Sequence, residues 1–271
     1  MTERAHAKLN LALVVGPLRP DGRHEVVSVL QAIDLHDDVE LEPAGTLTVE
    51  GFPQDTLVRG ALAALARRAG VRAAWRVRIE KRIPVAGGLG GGSSDAAAAL
   101  RLANRLLPEP LPGEELHALA AELGADVPFF LRSGPQLATG SGTELAPLEL
   151  PTEYAVALVL PAGARKPSTA LVYREFDLRG GAAGFALRAE RLRAALAGVV
   201  RAADLARLPP NDLASSPLAG ELRRRGAFRA DVTGAGPVVY GLFERAADAE
   251  RALAGLPGAG RTWLARPVDG R

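Results

Sequence analysis

A chain of 271 residues and 28.3 kDa is larger than one small core requires and suits two modest lobes. Its 48% hydrophobic and 24% charged residues exclude wholesale disorder and describe a soluble globular protein, while 33 basic against 31 acidic residues (net +2) give no footprint for nucleic acid. No apolar run approaches the ~18–20 residues of a bilayer span, the opening MTERAHAKLN has no apolar signal core, and the lack of cysteine excludes disulfides and thiolate metal sites, so a cytoplasmic protein without membrane partners is expected.

In chain order, Lys8–Val15 reads as an apolar strand stopped by Gly16-Pro17, and Pro20-Asp21-Gly22 is a turn signal. Val26–Ile33, Asp38–Glu42 and Thr46–Glu50 carry strand patterns. Helical periodicity covers Thr56–Ala69, with Asp55 as the expected N-cap and Gly70 as the stop. Trp75–Ile83 alternates as a strand, a glycine-rich loop follows, and an alanine-rich helix is expected over about Ser94–Leu106. A further helix begins near Pro112 and ends at Gly124. After Leu150-Pro151 the pattern restarts with a strand over Tyr154–Leu160 and helices at about 168–176, 185–200 and 212–225. Strand, turn and strand then span Phe228–Phe243, before a helix over Ala246–Leu256 and a last strand over Arg261–Ala265. Arg179–Gly184 reads as a flexible surface connection. The expected class is α+β, with lobes 1–150 and 151–271.

Two compositional details bear on chemistry. The four histidines (His6, His24, His36, His117) are too scattered for a zinc motif. Only Lys8, Lys81 and Lys166 are lysines among the 33 basic residues; a composition rich in Ala, Arg, Gly and Pro fits a GC-rich genome, but because ammonium and guanidinium differ in hydration and pKa behaviour each retained Lys is a position of interest.

The segment richest in information is Pro84-Val85-Ala86-Gly87-Gly88-Leu89-Gly90-Gly91-Gly92-Ser93-Ser94, entered by a strand and left by a helix. Glycines admit positive φ and bring bare N–H groups against a ligand, and the helix N-terminus adds orphan donors and partial positive charge, so the natural guest is a phosphate. A P-loop would need Lys after the last glycine, where Ser93 stands, and the G-x-G-x-x-G dinucleotide fingerprint also meets Ser93 at its third position.

The run resembles the P-x-x-x-G-L-G-S-S-A-A loop of the GHMP kinases, in an expanded form, with Ala86 where a further glycine is common. Ala5-His6-Ala7-Lys8-Leu9-Asn10-Leu11 is similar to that family's opening strand A-P-A-K-[IL]-N-L, and Leu123-Gly124-Ala125-Asp126-Val127-Pro128-Phe129-Phe130 to its L-G-[AS]-D-V-P-F-F segment. Asp231–Phe243 resembles the third motif, and Asn211-Asp212-Leu213 its N-D-L, with Asp212 expected as a helix cap. The resemblance implies a two-lobed GHMP kinase fold with an N-terminal ribosomal-S5-like lobe and a C-terminal ferredoxin-like lobe. It also implies ATP held by residues Pro84, Val85, Ala86, Gly87, Gly88, Leu89, Gly90, Gly91, Gly92, Ser93 and Ser94. Mg²⁺ should accompany ATP, with its protein ligands left open among Ser93, Ser94 and Asp95. Lys8 and Asp126 become the expected catalytic pair. From the residues alone, an Asp just past a helix end fits either a cap or turn or a group directed into a cleft.

Asp21-Gly22-Arg23-His24-Glu25-Val26 resembles D-G-Y-H-E-[LI], and Ser168-Thr169-Ala170-Leu171-Val172-Tyr173 resembles S-T-x-x-[VI]-[YF]. The expanded glycine loop and the D-G-x-H-E segment imply a cytidine diphosphate-linked methylerythritol as the small-molecule substrate, phosphorylated on its 2-hydroxyl. Asn10, His24, Arg23, Thr169 and Tyr173 are then substrate residues: Asn10 on the polyol, His24 on the pyrimidine edge, Arg23 and Tyr173 facing the base from either side. A homoserine- or mevalonate-type kinase, or a non-catalytic nucleotide binder on the same fold, are the competing readings.

Overall fold

The first strand, β1 (Thr2–Leu18), is 17 residues long, and its buried positions run almost unbroken from Ala7 to Gly16. It pairs with β2 (His24–Pro43) in the computed structural model, which describes residues 1–52, 56–132, 134–164, 168–256 and 259–269. Both strands exceed the sequence expectation. Gly16-Pro17 does not end β1, because a proline costs a ladder bond only where its N–H would have been needed. The gap expected between Val26–Ile33 and Asp38–Glu42 is strand as well. Its aspartates, which read as loop formers, accept bonds from other segments instead: Asp34 from the Arg266 amide (2.8 Å) and Asp37 from the amides of Arg82 (2.5 Å) and Ile83 (2.8 Å).

The chain divides into two units, and β1 and β2 pass through both. One comprises Met1–Ala7, Leu35–Val85 and Gly90–Ser133; the other comprises Lys8–Asp34, Ala86–Leu89 and Gly134–Arg271. In the first unit, β2 pairs antiparallel with β4 (Trp75–Glu80), and β3 (Thr48–Glu50) pairs parallel to β4. Helix α1 (Thr56–Arg68) buries Val58, Ala61, Leu62 and Leu65 and packs against α2 (Gly91–Asn104) and α3 (Gly113–Leu123). The Asp55 cap expected for α1 lies outside the described residues, as does Lys166. A short 3-10 helix, Pro128–Leu131, seats Phe129 and Phe130 in the same core.

In the second unit β2 also pairs with β5 (Gln136–Thr139), which hairpins to β6 (Glu144–Pro147). A separate four-stranded antiparallel sheet follows, built from β7 (Ala155–Leu160), β8 (Arg229–Val232), β9 (Val239–Phe243) and β10 (Arg261–Ala265). Its order, β10-β7-β9-β8, is 4-1-3-2 in chain order. The helices α4 (Thr169–Leu178), α5 (Phe185–Ala197) and α6 (Pro217–Arg224) lie between its first two strands in sequence, and α7 (Ala246–Ala254) between its last two. That is the ferredoxin-like β-α-β-β-α-β plan with two extra helices in its first crossover. Leu222 of α6 and Ala249 and Ala252 of α7 share one core with Val159, Val232, Val239 and Phe243.

Two local expectations are corrected. The helix expected over 212–225 is only Pro217–Arg224, and its cap is Ser216, whose hydroxyl accepts from the Leu218 amide at 3.3 Å. Asp212 therefore caps no helix; it accepts from the Val15 amide (2.9 Å) and from Arg188 Nε (3.3 Å). Arg179–Gly184 is not a loose connection but a run of hydrogen-bonded turns. Arg188 donates to the carbonyls of Gly181 and Ala183, and a Cβ on Gly181 would meet the Phe176 ring at 2.3 Å.

Candidate active site

β1 alternates, so Lys8 and Asn10 project to one face, two residues apart. Both are nearly enclosed, at 4% and 6% exposure. Lys8 Nζ donates to Asn10 Oδ1 at 2.6 Å, and Asn10 Nδ2 donates to Ser28 Oγ at 2.8 Å, which in turn donates to the Ala12 carbonyl at 2.8 Å. The Asn10 amide N–H donates to Thr233 Oγ1 at 3.1 Å. The ammonium and the carboxamide are thus held at defined points rather than left to search rotamers.

Thr233 opens the turn between β8 and β9, and this turn lies directly on the glycine loop. The Val238 amide donates to the Gly87 carbonyl (3.1 Å), and the Lys8 amide to the Leu89 carbonyl (2.9 Å). Gly88 has φ +85°, and a Cβ there would stand 2.4 Å from the Thr233 carbonyl oxygen, so this close approach requires glycine. A Cβ at Gly234 would stand 3.4 Å from Lys8 Nζ, so the ammonium abuts the second glycine turn. Ala86 carries φ +57°, the left-handed region, at the position where the resemblance marks a glycine as usual.

His24 opens β2 and is 7% exposed at its side chain. Its Nε2 lies 2.8 Å from Asp177 Oδ1. Tyr173 stacks on the imidazole at a centroid distance of 4.7 Å and 30°, and Phe176 meets it edge-on at 6.1 Å. Tyr173 thus lies against His24 itself. Arg23 is exposed, its amide bonded to Asp21 Oδ1 at 3.0 Å, and Thr169 is exposed at the first position of α4.

In the first unit, α2 starts at Gly91, three residues earlier than expected, with Gly90 at φ +73° as its N-cap. Ser93 therefore sits in the first helical turn, where backbone N–H groups lack intrahelical partners, whereas the Ser94 amide donates to the Gly90 carbonyl at 2.9 Å. Asp126 follows α3 in a turn before the 3-10 helix and is half-buried.

Sequence reasoning missed a buried charge cluster at the other end of this loop. Lys81 Nζ donates to Asp37 Oδ2 at 2.5 Å and to Asp95 Oδ2 at 2.6 Å, and both carboxylates are fully enclosed. Burial, reinforced by the neighbouring Asp37 and opposed by Lys81, pushes the Asp95 carboxyl up to about 7. Burial also disfavours the Lys81 ammonium, but the two carboxylates outweigh it and raise its pKa. Asp95 Oδ1 is buried without a hydrogen-bond partner. Asp95 lies inside α2, its side chain paired with Lys81. The available signal was that Lys81 is one of three lysines. Among the described residues no three His, Asp or Glu side chains converge as a metal cage, and no helix is long and apolar enough to cross a membrane.

The GHMP kinase N-terminal domain model matches residues 56–134, and the GHMP kinase C-terminal model matches residues 186–262, which places the chain among the GHMP kinases. A 4-diphosphocytidyl-2-C-methyl-D-erythritol kinase of Salinispora arenicola is 42% identical over 92% of this chain and 85% of its own length. A crystal structure of a 4-(cytidine 5'-diphospho)-2C-methyl-D-erythritol kinase superposes with a TM-score of 0.79 at 33% identity, covering all of both chains. A mevalonate kinase structure, 13% identical with a TM-score of 0.77 over 99% of each chain, shows the shared fold alone. The chain belongs to the 4-diphosphocytidyl-2-C-methyl-D-erythritol kinase family.

Proposed function

We propose that this protein transfers the γ-phosphoryl group of ATP to the 2-hydroxyl of 4-diphosphocytidyl-2-C-methyl-D-erythritol, in the cytoplasm, as a step of isoprenoid-precursor synthesis by the non-mevalonate route. Lobe 1–150 carries the phosphate loop and the catalytic pair, and lobe 151–271 supplies the second glycine turn and the aromatic wall. The observation that carries this reading is the Lys8–Asn10–Thr233 cluster, which fixes one ammonium against the second glycine turn, itself packed on the phosphate loop.

Phosphoryl transfer passes through a loose transition state, so positioning and charge stabilisation matter more than covalent chemistry. Pro84–Ser94 wrap the phosphate tail, presenting glycine N–H groups and the first turn of α2. Lys8 neutralises charge developing on the transferred group. Asp126 orients the acceptor hydroxyl and takes its proton late in the reaction. Asn10 directs its carboxamide to the polyol. His24 reads the pyrimidine edge, with Tyr173 and Arg23 as walls for the base and Thr169 beside them. The loop's donor set suits a metal-bound triphosphate. Mg²⁺ would be held beside the loop by Ser93 or Ser94, Asp95 being bonded to Lys81, and when bound would supply screening of the phosphate charge.

The test is a coupled ADP-release assay with the cytidine substrate. Asp126→Asn should lower kcat by about 10²- to 10⁴-fold with little change in either KM. A variant within about twofold of the parent in the same assay would remove Asp126 from the chemistry.

A further inference from the structure

Three side chains of α4 converge on one imidazole. Tyr173, Phe176 and Asp177 stand at i, i+3 and i+4, so they share a helix face, and all three touch His24. Two of the contacts are rings that fix the plane of the imidazole. The third is a carboxylate 2.8 Å from Nε2. An ionised carboxylate accepts hydrogen bonds and cannot donate them, so the partner nitrogen must carry the proton. In a neutral imidazole with its proton on Nε2, Nδ1 is an acceptor, and Nδ1 makes no hydrogen bond among the described residues.

We propose that Asp177 is a positioning residue that holds His24 in the Nε2–H form, so that its Nδ1 accepts from an amino-substituted pyrimidine and opposes an oxo-substituted one. The proposal rests on the assignment of His24 to the pyrimidine edge made above and adds the origin of the selectivity. Cytosine presents a 4-amino donor to the Nδ1 lone pair. Uracil presents a 4-carbonyl, which sets acceptor against acceptor. The difference is one hydrogen bond gained against one acceptor pair left opposed. Asp177 needs no contact with the base to exert it, and its own half-exposed position lets it be replaced without opening a core.

Two measurements test this. The first is the long-range imidazole ¹⁵N–¹H spectrum of the labelled full chain at neutral pH, with His24 assigned from the signal lost in His24→Gln. His24 should show a pyrrole-type Nε2 and a pyridine-type Nδ1, and in Asp177→Ala its signals should shift toward mixed tautomers. The second is the kcat/KM ratio between the cytidine and uridine forms of the diphospho-methylerythritol substrate. Asp177→Ala should lower that ratio about tenfold, mainly through KM for the cytidine form, and Asp177→Glu should recover part of it. A doubly protonated or Nδ1–H ring in the parent protein would overturn the proposal, as would an unchanged ratio in Asp177→Ala. Turnover of neither compound by the parent protein would instead sink the reaction proposed above. In that case CDP and UDP titrated against the His24 signals decide the preference: selective perturbation by CDP that is lost in Asp177→Ala supports the role, and equal responses refute it.

Discussion

Replacing Lys81 by methionine keeps the length of the side chain and removes its charge, leaving two enclosed carboxylates facing each other. The structure sets the size of the effect. Asp37 and Asp95 are both fully buried, each bonds Lys81 within 2.6 Å, and Asp95 already carries a carboxyl raised to about 7. Removing one partner of a buried ion pair costs about 3–5 kcal/mol, because the remaining charge is stranded. Here two are stranded, and proton uptake limits the cost. A carboxyl whose folded pKa lies above its unfolded value near 4 contributes stability in full below that value and loses it as pH rises through the folded pKa. The parent protein should therefore lose stability between about pH 4 and pH 7, by at most about 4 kcal/mol from Asp95. Lys81→Met should extend that loss beyond pH 7. Urea unfolding should give a deficit of about 3–5 kcal/mol near pH 8, shrinking toward the ~1.5–3 kcal/mol of a charged hydrogen bond near pH 5, where Asp95 is protonated in both proteins. Adding Asp95→Asn to Lys81→Met should restore part of the deficit at pH 8, as coupled neighbours do. A pH-independent deficit below about 1 kcal/mol would refute the reasoning.

The phosphate loop offers further tests. Ala86 sits at φ +57°, where an L-residue is strained by roughly 1–2 kcal/mol, so Ala86→Gly should stabilise the fold by about 0.5–1 kcal/mol after the entropy of the more flexible unfolded chain is counted. A lowered midpoint in thermal unfolding would contradict this. Gly88→Ala places a Cβ 2.4 Å from the Thr233 carbonyl at a left-handed φ; it should cost about 1–3 kcal/mol and raise the KM for ATP more than that for the cytidine substrate. Equal increases in both would mean that the two glycine turns do not act on the nucleotide alone.

Long apolar and periodic segments were legible in the sequence, and short or charge-determined ones were not. β7, α1 and α7 announce themselves by periodicity or by apolar runs, and their observed limits match within a few residues. β5 and β6 have four residues each and only partial alternation, so nothing in Gln136–Thr139 or Glu144–Pro147 stands out before the pairing with β2 exists. The continuity of β2 was hidden because its aspartates look like loop residues until their partners, 45 and more positions away, are in place. The site followed the same rule. Lys8, Asn10, His24 and the glycine loop were named from motifs. Asn10's bond to Thr233 spans 223 residues, however, and no local pattern encodes it. Asp177 had a local signal: it stands four residues after Tyr173 on a helix, the spacing that shares a face.

The scarcity of lysine has a physical reading that can be tested separately. Arg229 shows what a buried guanidinium demands: at 6% exposure it donates to Tyr240 Oη, to the carbonyls of Leu205 and Leu208, and to that of Pro209. Four acceptors surround five N–H groups. Lys81 has two carboxylate oxygens, and its Nζ would stand 3.4 Å from a Cβ on Gly91, in the first turn of the phosphate-loop helix. A guanidinium there would carry donors with no partner and press its plane on that turn. Lys81→Arg keeps the charge, so if charge alone mattered it would match the parent protein. The geometry instead requires a loss of about 1–3 kcal/mol from overpacking and unpaired donors, with a raised KM for ATP if the displaced turn holds the phosphate as proposed. Parental stability and an unchanged KM in Lys81→Arg would show that the ammonium's small size has no role.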